Sequence, residues 1–409
     1  MIVRARWVLP IDRAPIDGGW VAADPVAHRI TAIGAGPPPG DAIDLGDVAL
    51  LPGLVNAHTH LELSWMAGLI PPAESMDAWI REIMRLRRAG PPGGEPEVIA
   101  AMARAALAMH ASGTVLVGDV SNTLLSAQIL ADTHLRGVVF HELIGFNVAD
   151  PALQVRDAWD RIAAVERALY PQPGSVNPRP EIAFNVVAHA PYSVSPALFA
   201  EILRRTRPEP LSIHLGESPE EVEFLRSGTG PIRDMLVTLG VWPEDWATPG
   251  CDPVSYVAGL GYMRAGTLIV HGVHLGDDAL ERIRSAGGVL VTCPRSNHWV
   301  GSGSPRLSHF YAARLPVAIG TDSLASSPTL NLFDELAEMR RIAPEVAASA
   351  LLDSATRRGA DALGFGDRYG TLAAGKRAVM IAVDVPAAER DVEEYLVSGV
   401  APDAVRRIA

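Results

Sequence analysis

After Pro52-Gly53 the chain settles into one rhythm, in which short runs rich in Val, Ile and Leu alternate with longer segments of helical pattern. The runs are LLPGLVNAH (50–58), TVLVGDV (114–120), RGVVFHELI (136–144) and EIAFNVVAH (181–189), then LSIHLGE (211–217), TLIVHGV (267–273), GVLVTCP (288–294) and PVAIGTD (316–322). Between them stand SMDAWIREIMRLRR (75–88), PEVIAAMARAALAMHA (96–111) and DAWDRIAAVERALY (157–170), each with apolar residues at helical spacing. Continuous apolar strands separated by helices imply a parallel sheet buried on both faces, because each crossover lays a helix against it. Eight such strands predict a (β/α)8 barrel of the TIM type.

The first fifty residues read differently. Short strand-like pieces (IVRARWVL, GWVAAD, HRITAIG) are separated by Gly and Pro clusters such as GPPPG at 36–40, the pattern of a small β unit. Strand character returns in GTLAAGKRAVMIAVDV (370–385), and the two chain ends are expected to pair. The predicted α/β organisation is a small β-sandwich domain from residues 1–53 plus 370–409 around a catalytic barrel over 54–369. Residues 386–409 carry no assignable element.

In parallel barrels the chemistry sits at the C-terminal ends of the strands. The runs end on or beside His58 and His60, Asp119, His141, His189, His214, His271, Cys293 and Asp322. Twelve histidines scattered at random would not gather there so often. In the HTH of 58–60, residues i and i+2 of an extended chain face the same side, so both imidazoles aim at one spot. Neutral imidazole suits zinc or ferrous iron, and three His with one carboxylate leave room for a water. An HxH pair alone could as well bond locally; His214 and Asp322 at later strand ends favour the metal.

Composition removes several alternatives. The chain has a single lysine, Lys376, so a Schiff-base lysine or a carbamylated lysine bridging two metals is excluded from the barrel. A net charge of −12 without a basic block argues against nucleic acid or an anionic membrane as partner. Two cysteines, Cys251 and Cys293, cannot build a disulfide framework or a Cys-rich zinc site. No run of roughly 18 apolar residues suggests a membrane span, and MIVRARWVLPIDRAP lacks the apolar core and cleavage site of a signal peptide. The cytoplasm is the expected compartment.

The segments PGLVNAHTH, HLGES, HGVHL and GTDS together resemble the amidohydrolase superfamily, in its cytosine deaminase and chlorohydrolase-like branch. The likeness extends over essentially the whole chain and includes GTLAAGKRAV, although Val379 stands where that family tends to place an acidic residue. The resemblance implies that His58, His60, His214 and Asp322 hold one divalent metal, zinc first and ferrous iron second. It also gives Glu217 the role of proton shuttle, a role the chemistry requires. Attack on a ring C–N centre builds negative charge on the ring nitrogen, and a carboxylic acid beside it can neutralise that charge. The competing account of Glu217 is a helix-start acid, the reading given to Glu220, Glu221 and Glu223. His271 is implied as a polarising group or base, with Asp322 sharing that work as ligand and proton acceptor.

Four further residues are candidate substrate contacts: His189 in HAPYS, Arg295 in CPRSN, and Glu62 and Trp65 in HLELSW. Arg295 could take a substrate carboxylate bidentately or lie in a rim ion pair. Glu62 and Trp65 could meet a sugar or ring, and Trp65 could instead pack under its loop. His274 reads as a loop or supporting histidine, Asp119 as closing the rim, Cys293 as structural, and His141 is open between core and site.

The expected activity is hydrolytic deamination at an amino-bearing ring carbon of a small nucleoside. NAHTHLELS, HLGESPEEVEFL, CPRSN and GTDSLASSPTLNLFDEL are most similar to aminodeoxyfutalosine deaminases of the futalosine route to menaquinone. The alternatives are methylthioadenosine or S-adenosylhomocysteine deamination, guanine-type deamination and s-triazine dechlorination. A catalytically inactive, amidohydrolase-like interaction protein is the alternative of another class, against which the complete ligand set counts. A homodimer is the one protein assembly entertained.

Overall fold

The computed structural model describes residues 1–170 and 181–408. Its barrel strands are β1 (Leu54–Thr59), β2 (Thr114–Ser121), β3 (Arg136–Leu143) and β4 (Ile182–Ala188), then β5 (Ser212–Leu215), β6 (Leu268–His271), β7 (Val289–Thr292) and β8 (Val317–Ile319). Every residue in them is buried except Arg136 at the start of β3, which is why the sequence shows continuous apolar runs rather than alternation.

Strands β1 to β4 pair in parallel in chain order, and so do β5 to β8. Two seams join these halves. At one, the His214 N–H donates to the His189 carbonyl at 2.9 Å. At the other, Thr59 and Asp322 form a parallel bridge, and the amides of Thr321 and Asp322 donate to the His58 carbonyl at 3.0 and 3.1 Å. Gly320 permits this second approach, since a Cβ there would stand 2.8 Å from the His58 carbonyl oxygen. The barrel therefore closes through the backbone of His58, His189, His214 and Asp322.

Four outer helices begin alike. Asp150, Ser195, Ser218 and Asp252 each accept a backbone N–H three places on, with proline at the first helical position. Such caps are worth about 0.5–2 kcal/mol each. The Asp150-Pro151 pair starts its helix at Pro151, ahead of the apolar spacing that suggested residue 157. The helices Met76–Ala89 and Pro96–Ala111 fall where their periodicity predicts.

The chain ends meet as expected. Met380–Asp384 runs antiparallel to Val48–Pro52, whose other edge pairs with Trp7–Val8. Ile2–Arg4, Trp20–Asp24 and Arg29–Gly34 form the facing sheet, and Val3, Val8, Val21, Ile30, Leu50 and Met380 fill the space between. Residues 386–408 hold a helix, Val392–Val397, and a strand, Val405–Ile408, that extends the sheet beyond Met380–Asp384. Both are too short to show a period in sequence. No helix among the described residues is long and apolar enough to cross a membrane.

Candidate active site

The two seams set four side chains around one point. His60 Nε2 lies 3.2 Å from His58 Nε2 and 3.2 Å from His214 Nε2. Asp322 Oδ1 lies 3.6 Å from His58 Nε2 and 3.5 Å from His60 Nε2. Donor atoms bound to a common zinc at about 2.0–2.1 Å in a tetrahedron stand roughly 3.3 Å apart. Proton accounting points the same way. His214 Nδ1 donates to the His189 carbonyl at 3.0 Å, so its Nε2 presents a lone pair. Burial first, then the neighbouring His189 and His58 rings, lowers the His214 pKa to about 3, and burial holds His60 well below the ordinary range. A ring proton on His60 Nε2 can bridge only one pair of these nitrogens, whereas a divalent metal takes all four donors at once, so the donor set fits a divalent metal.

Asp322 is prepared for that role. Its Oδ2 accepts the hydroxyls of Ser296 at 2.6 Å and Ser326 at 2.7 Å, which leaves Oδ1 facing the histidines. Burial would raise this carboxyl, but the His58 hydrogen bond and the surrounding rings hold it well below the usual carboxylate range. Asp322 (φ 56) and His271 (φ 75) both take left-handed backbone conformations, a strain that Asp and His tolerate better than most residues and that concentrates at functional positions. Asn56 braces the arrangement, donating to Thr321 Oγ1 at 2.7 Å and accepting the His58 and Thr321 amides.

An acid–base pair lies beside the donor set. Glu217 Oε1 is 3.4 Å from His271 Nε2. The Asn297 amide donates to His271 Nδ1 at 3.0 Å, placing the ring proton on Nε2. Burial first, then the charges of Asp322 and Glu221, pushes the Glu217 carboxyl well above its ordinary value, the direction that favours its protonated form. Its backbone is fixed by Glu221, whose carboxylate accepts the Gly216 and Glu217 amides at 3.0 and 2.9 Å. Gly216 (φ 63) must be glycine, since a Cβ would meet Leu275 Cδ2 at 2.4 Å. Glu221 is a helix-start acid, as expected, but it is buried and also clamps the turn that presents Glu217.

The sequence matches the Amidohydrolase family over residues 49–405. The chain belongs to the amidohydrolase family. It is 31% identical over 337 residues to an aminodeoxyfutalosine deaminase of Deinococcus radiodurans, covering 80% of this chain and 76% of that one. It is 30% identical to a 5-methylthioadenosine/S-adenosylhomocysteine deaminase of Nitratidesulfovibrio vulgaris, covering 91% and 80%. An adenosine deaminase structure from Xanthomonas campestris with bound zinc superposes with a TM-score of 0.78 at 25% identity, covering 99% and 90%. As an amidohydrolase with deaminase relatives, the chain is a hydrolase of carbon–nitrogen bonds other than peptide bonds, in a family that uses a divalent metal.

In this amidohydrolase the site forms the floor of a cavity of about 520 Å³, within the range of small-molecule sites. One wall is the helix Met76–Ala89, which turns Met76, Trp79, Ile80, Ile83, Met84 and Arg87 toward the cavity. These positions are one helical stripe at i, i+3, i+4, i+7 spacing. Phe146, Leu236, Leu239 and Val241 line other parts, with His189 and Tyr192 lower down. His189 Nδ1 bonds Ser193 Oγ at 2.6 Å, and burial, then Arg87 and His58, brings its pKa to about 4.

Three of the proposed substrate contacts lie elsewhere. Glu62 faces away from the cavity into the turn after β2, where its two oxygens accept the Ser121 hydroxyl, the Asn122 amide at 3.0 Å and the Thr123 amide at 2.7 Å. Both oxygens of its carboxylate are thereby taken by the turn. Trp65 packs under the loop against Gly90, where an added Cβ would meet its ring at 2.3 Å. Arg295 points behind the strand ends, bonding Thr329 Oγ1 at 2.9 Å and pairing with Asp334 at 3.4 Å and Glu335 at 3.8 Å. A substrate carboxylate there would displace two protein carboxylates. The arginine and tryptophan of the cavity are Arg87 and Trp79 instead. Arg87 donates to Asn122 Oδ1 at 3.1 Å, and among the described residues no carboxylate lies within ion-pair distance of it.

The remaining strand-end residues brace the barrel. Asp119 accepts the Leu61 amide at 2.9 Å and is pushed up to about 7 by burial. His141 Nδ1 bonds the Ser121 carbonyl at 2.9 Å, and His274 Nε2 the Ser302 carbonyl at 2.8 Å. Cys293 is fully buried, which raises its thiol pKa far from reactivity.

Proposed function

We propose that this hydrolase deaminates the adenine ring of a small nucleoside, using one divalent ion, zinc first, held by His58, His60, His214 and Asp322. The carrying observation is the buried Glu217 carboxyl, raised by that burial and 3.4 Å from His271 Nε2 beside the donor set. When bound, the ion supplies a Lewis acid and an acidified water as nucleophile. Glu217 donates its proton to the ring nitrogen where negative charge develops and regains one as the hydroxyl of the tetrahedral carbon becomes a carbonyl, while the proton taken from the nucleophile passes to the departing ammonia. His271, with its proton fixed on Nε2 by Asn297, orients the nucleophile, and Asp322 accepts its proton. His189 and the apolar walls hold the ring and exclude water.

The finer reading is aminodeoxyfutalosine as substrate, on the futalosine route to menaquinone. It is supported by the Deinococcus relative and by Arg87, a cation at the cavity mouth suited to a substrate carboxylate. Methylthioadenosine or S-adenosylhomocysteine is the second reading, favoured by a relative that covers more of the chain. The test is ammonia release across aminodeoxyfutalosine, methylthioadenosine, S-adenosylhomocysteine, adenosine, guanine and a chlorotriazine. Turnover of adenine nucleosides, with the adenine-to-hypoxanthine absorbance change, is expected. Turnover of guanine or the triazine alone would sink the proposal.

A further inference from the structure

The opposite end of the barrel holds a second cavity, about 790 Å³, between the starts of β2 to β4 and the β-sandwich. Its wall collects Arg136, Arg377 and Arg407 with His28, His110 and His134. On a chain of net charge −12 this concentration of cations is conspicuous. Among the described residues Glu181 is the one carboxylate on the wall, and it is oversubscribed. It takes Arg377 at 2.9 Å, Arg136 at 3.1 Å, the Tyr369 hydroxyl at 3.0 Å and Arg368 at 3.5 Å. Among the described residues the Arg407 side chain bonds the Thr114 carbonyl at 3.3 Å, and no carboxylate lies within ion-pair distance of it. Val379 gives the same wall an apolar side chain.

The charges here act on one another in the unfavourable sense. Burial, then Arg136, lowers the Arg407 pKa. Burial, then Arg407, His134 and Arg136, brings His110 down to about 4. Like charges brought together in a partly dry cavity, with Glu181 shared among several arginines and no carboxylate among the described residues paired with Arg407, cost free energy that an anion would return.

We propose that this cavity binds a small oxyanion carrying two or more negative charges, clasped by the guanidinium groups of Arg136, Arg377 and Arg407. Guanidinium forks match the oxygens of phosphate and carboxylate groups. The three arginines come from β3, from the segment leading into Met380–Asp384, and from the edge strand Val405–Ile408. A shared anion would therefore fasten the C-terminal strands to this end of the barrel. The site is separate from the metal centre: β2 begins at this cavity and runs to the other rim, roughly 23 Å at the usual rise per residue.

The test is thermal unfolding and calorimetry of the metal-loaded enzyme in potassium phosphate against potassium chloride of equal ionic strength. A Tm rise that saturates with phosphate is expected, because a ligand bound only by the folded state stabilises it. Arg407→Gln should weaken the phosphate Kd by about tenfold or more, the scale of one charged hydrogen bond. Val379→Asp sets a carboxylate in the wall and should abolish the rise even if the first variant folds poorly. Metal content and turnover should stay unchanged in both. Ribose 5-phosphate as a second probe separates the sources: tighter binding than phosphate assigns the site to a phosphorylated metabolite, equal or weaker binding to the free ion. Phosphate that acts no more strongly than chloride overturns the proposal. So does a rise that survives in both variants, since the anion would then be bound elsewhere.

Discussion

The floor and the walls of the active-site cavity are built on opposite principles. On the floor four of the groups proposed to act are tied by a neighbour: His214 by the His189 carbonyl, Glu217 through Glu221, His271 by Asn297, Asp322 by Ser296 and Ser326. The wall helix Met76–Ala89 has one polar tie beneath its apolar stripe, Trp79 Nε1 to the Ala325 carbonyl at 3.2 Å. At its outer end stands Arg87, bonded to Asn122. A floor held by directional bonds to rigid strands keeps catalytic geometry fixed, whereas an apolar wall tolerates exchange of side chains. The floor is thus expected to set the reaction and the walls to set the substrate, and mutations should separate along that line.

The largest effect should come from emptying the donor set. A strong chelator should abolish turnover, zinc should restore it, and elemental analysis should find one equivalent per chain. Two equivalents, or activity in a metal-free preparation, would break the mononuclear floor. Next comes Glu217→Gln, which keeps shape but cannot donate a carboxyl proton. Turnover should fall by about 10²–10⁴-fold, the range of general acid–base catalysis, with metal content unchanged. Near-native turnover would reduce Glu217 to a structural residue.

A smaller, selective loss is expected at the mouth. Arg87→Ala should lower kcat/KM for a carboxylate-bearing nucleoside by about ten- to a hundredfold, the worth of a charged hydrogen bond, and leave methylthioadenosine unaffected. Deleting the substrate carboxylate and Arg87 together should cost little more than either alone, since both remove one interaction. Arg295→Ala should show no such selectivity. If Arg295 rather than Arg87 carries it, the walls are drawn wrongly.

The difference between floor and walls also governs how far the sequence could be read. Strand ends are fixed by the barrel, so His58, His60, His214, His271 and Asp322 announce themselves by residue type at a known place. The donor set is brought together by seams, and Asn56, two residues before His58 within the same motif, carried a signal that was open to use. The wall stripe 76, 79, 80, 83, 84 and 87 is visible as a period, but a period reports an apolar face and not whether that face meets the core or a cavity. Arg295 was misleading for the same reason: nearness to a strand end in sequence does not say which side of the strand a side chain takes. Its partners Asp334 and Glu335 lie about forty residues later, a distance no local pattern spans. Glu221 looked like one acid among several because burial, not residue type, distinguishes it.

The smallest effect tests whether Arg295 belongs to the scaffold. Glu335 is fully buried and accepts the Arg295 amide at 3.2 Å. Burial pushes its carboxyl up to about 8 from an ordinary 4.5, against the pull of the nearby Arg295 charge. The folded chain therefore keeps a proton that the unfolded chain gives up once the pH passes 4.5. The stabilisation is full below 4.5 and is lost as pH rises through 8. Glu335→Gln retains a neutral acceptor for the Arg295 amide and does not titrate, so this part of the slope should vanish. Thermal unfolding from pH 5 to 9 should show the wild-type Tm falling more steeply than the variant's, by roughly 5 °C in a chain of this size. Turnover at neutral pH should be nearly unchanged in the variant, because Glu335 lies behind the floor and touches no group within it except through the Arg295 backbone. Parallel Tm curves would mean that Glu335 is ionised in the fold and paired with Arg295 throughout. The guanidinium would then be committed to that pair, and the arginine available to a substrate would still be Arg87.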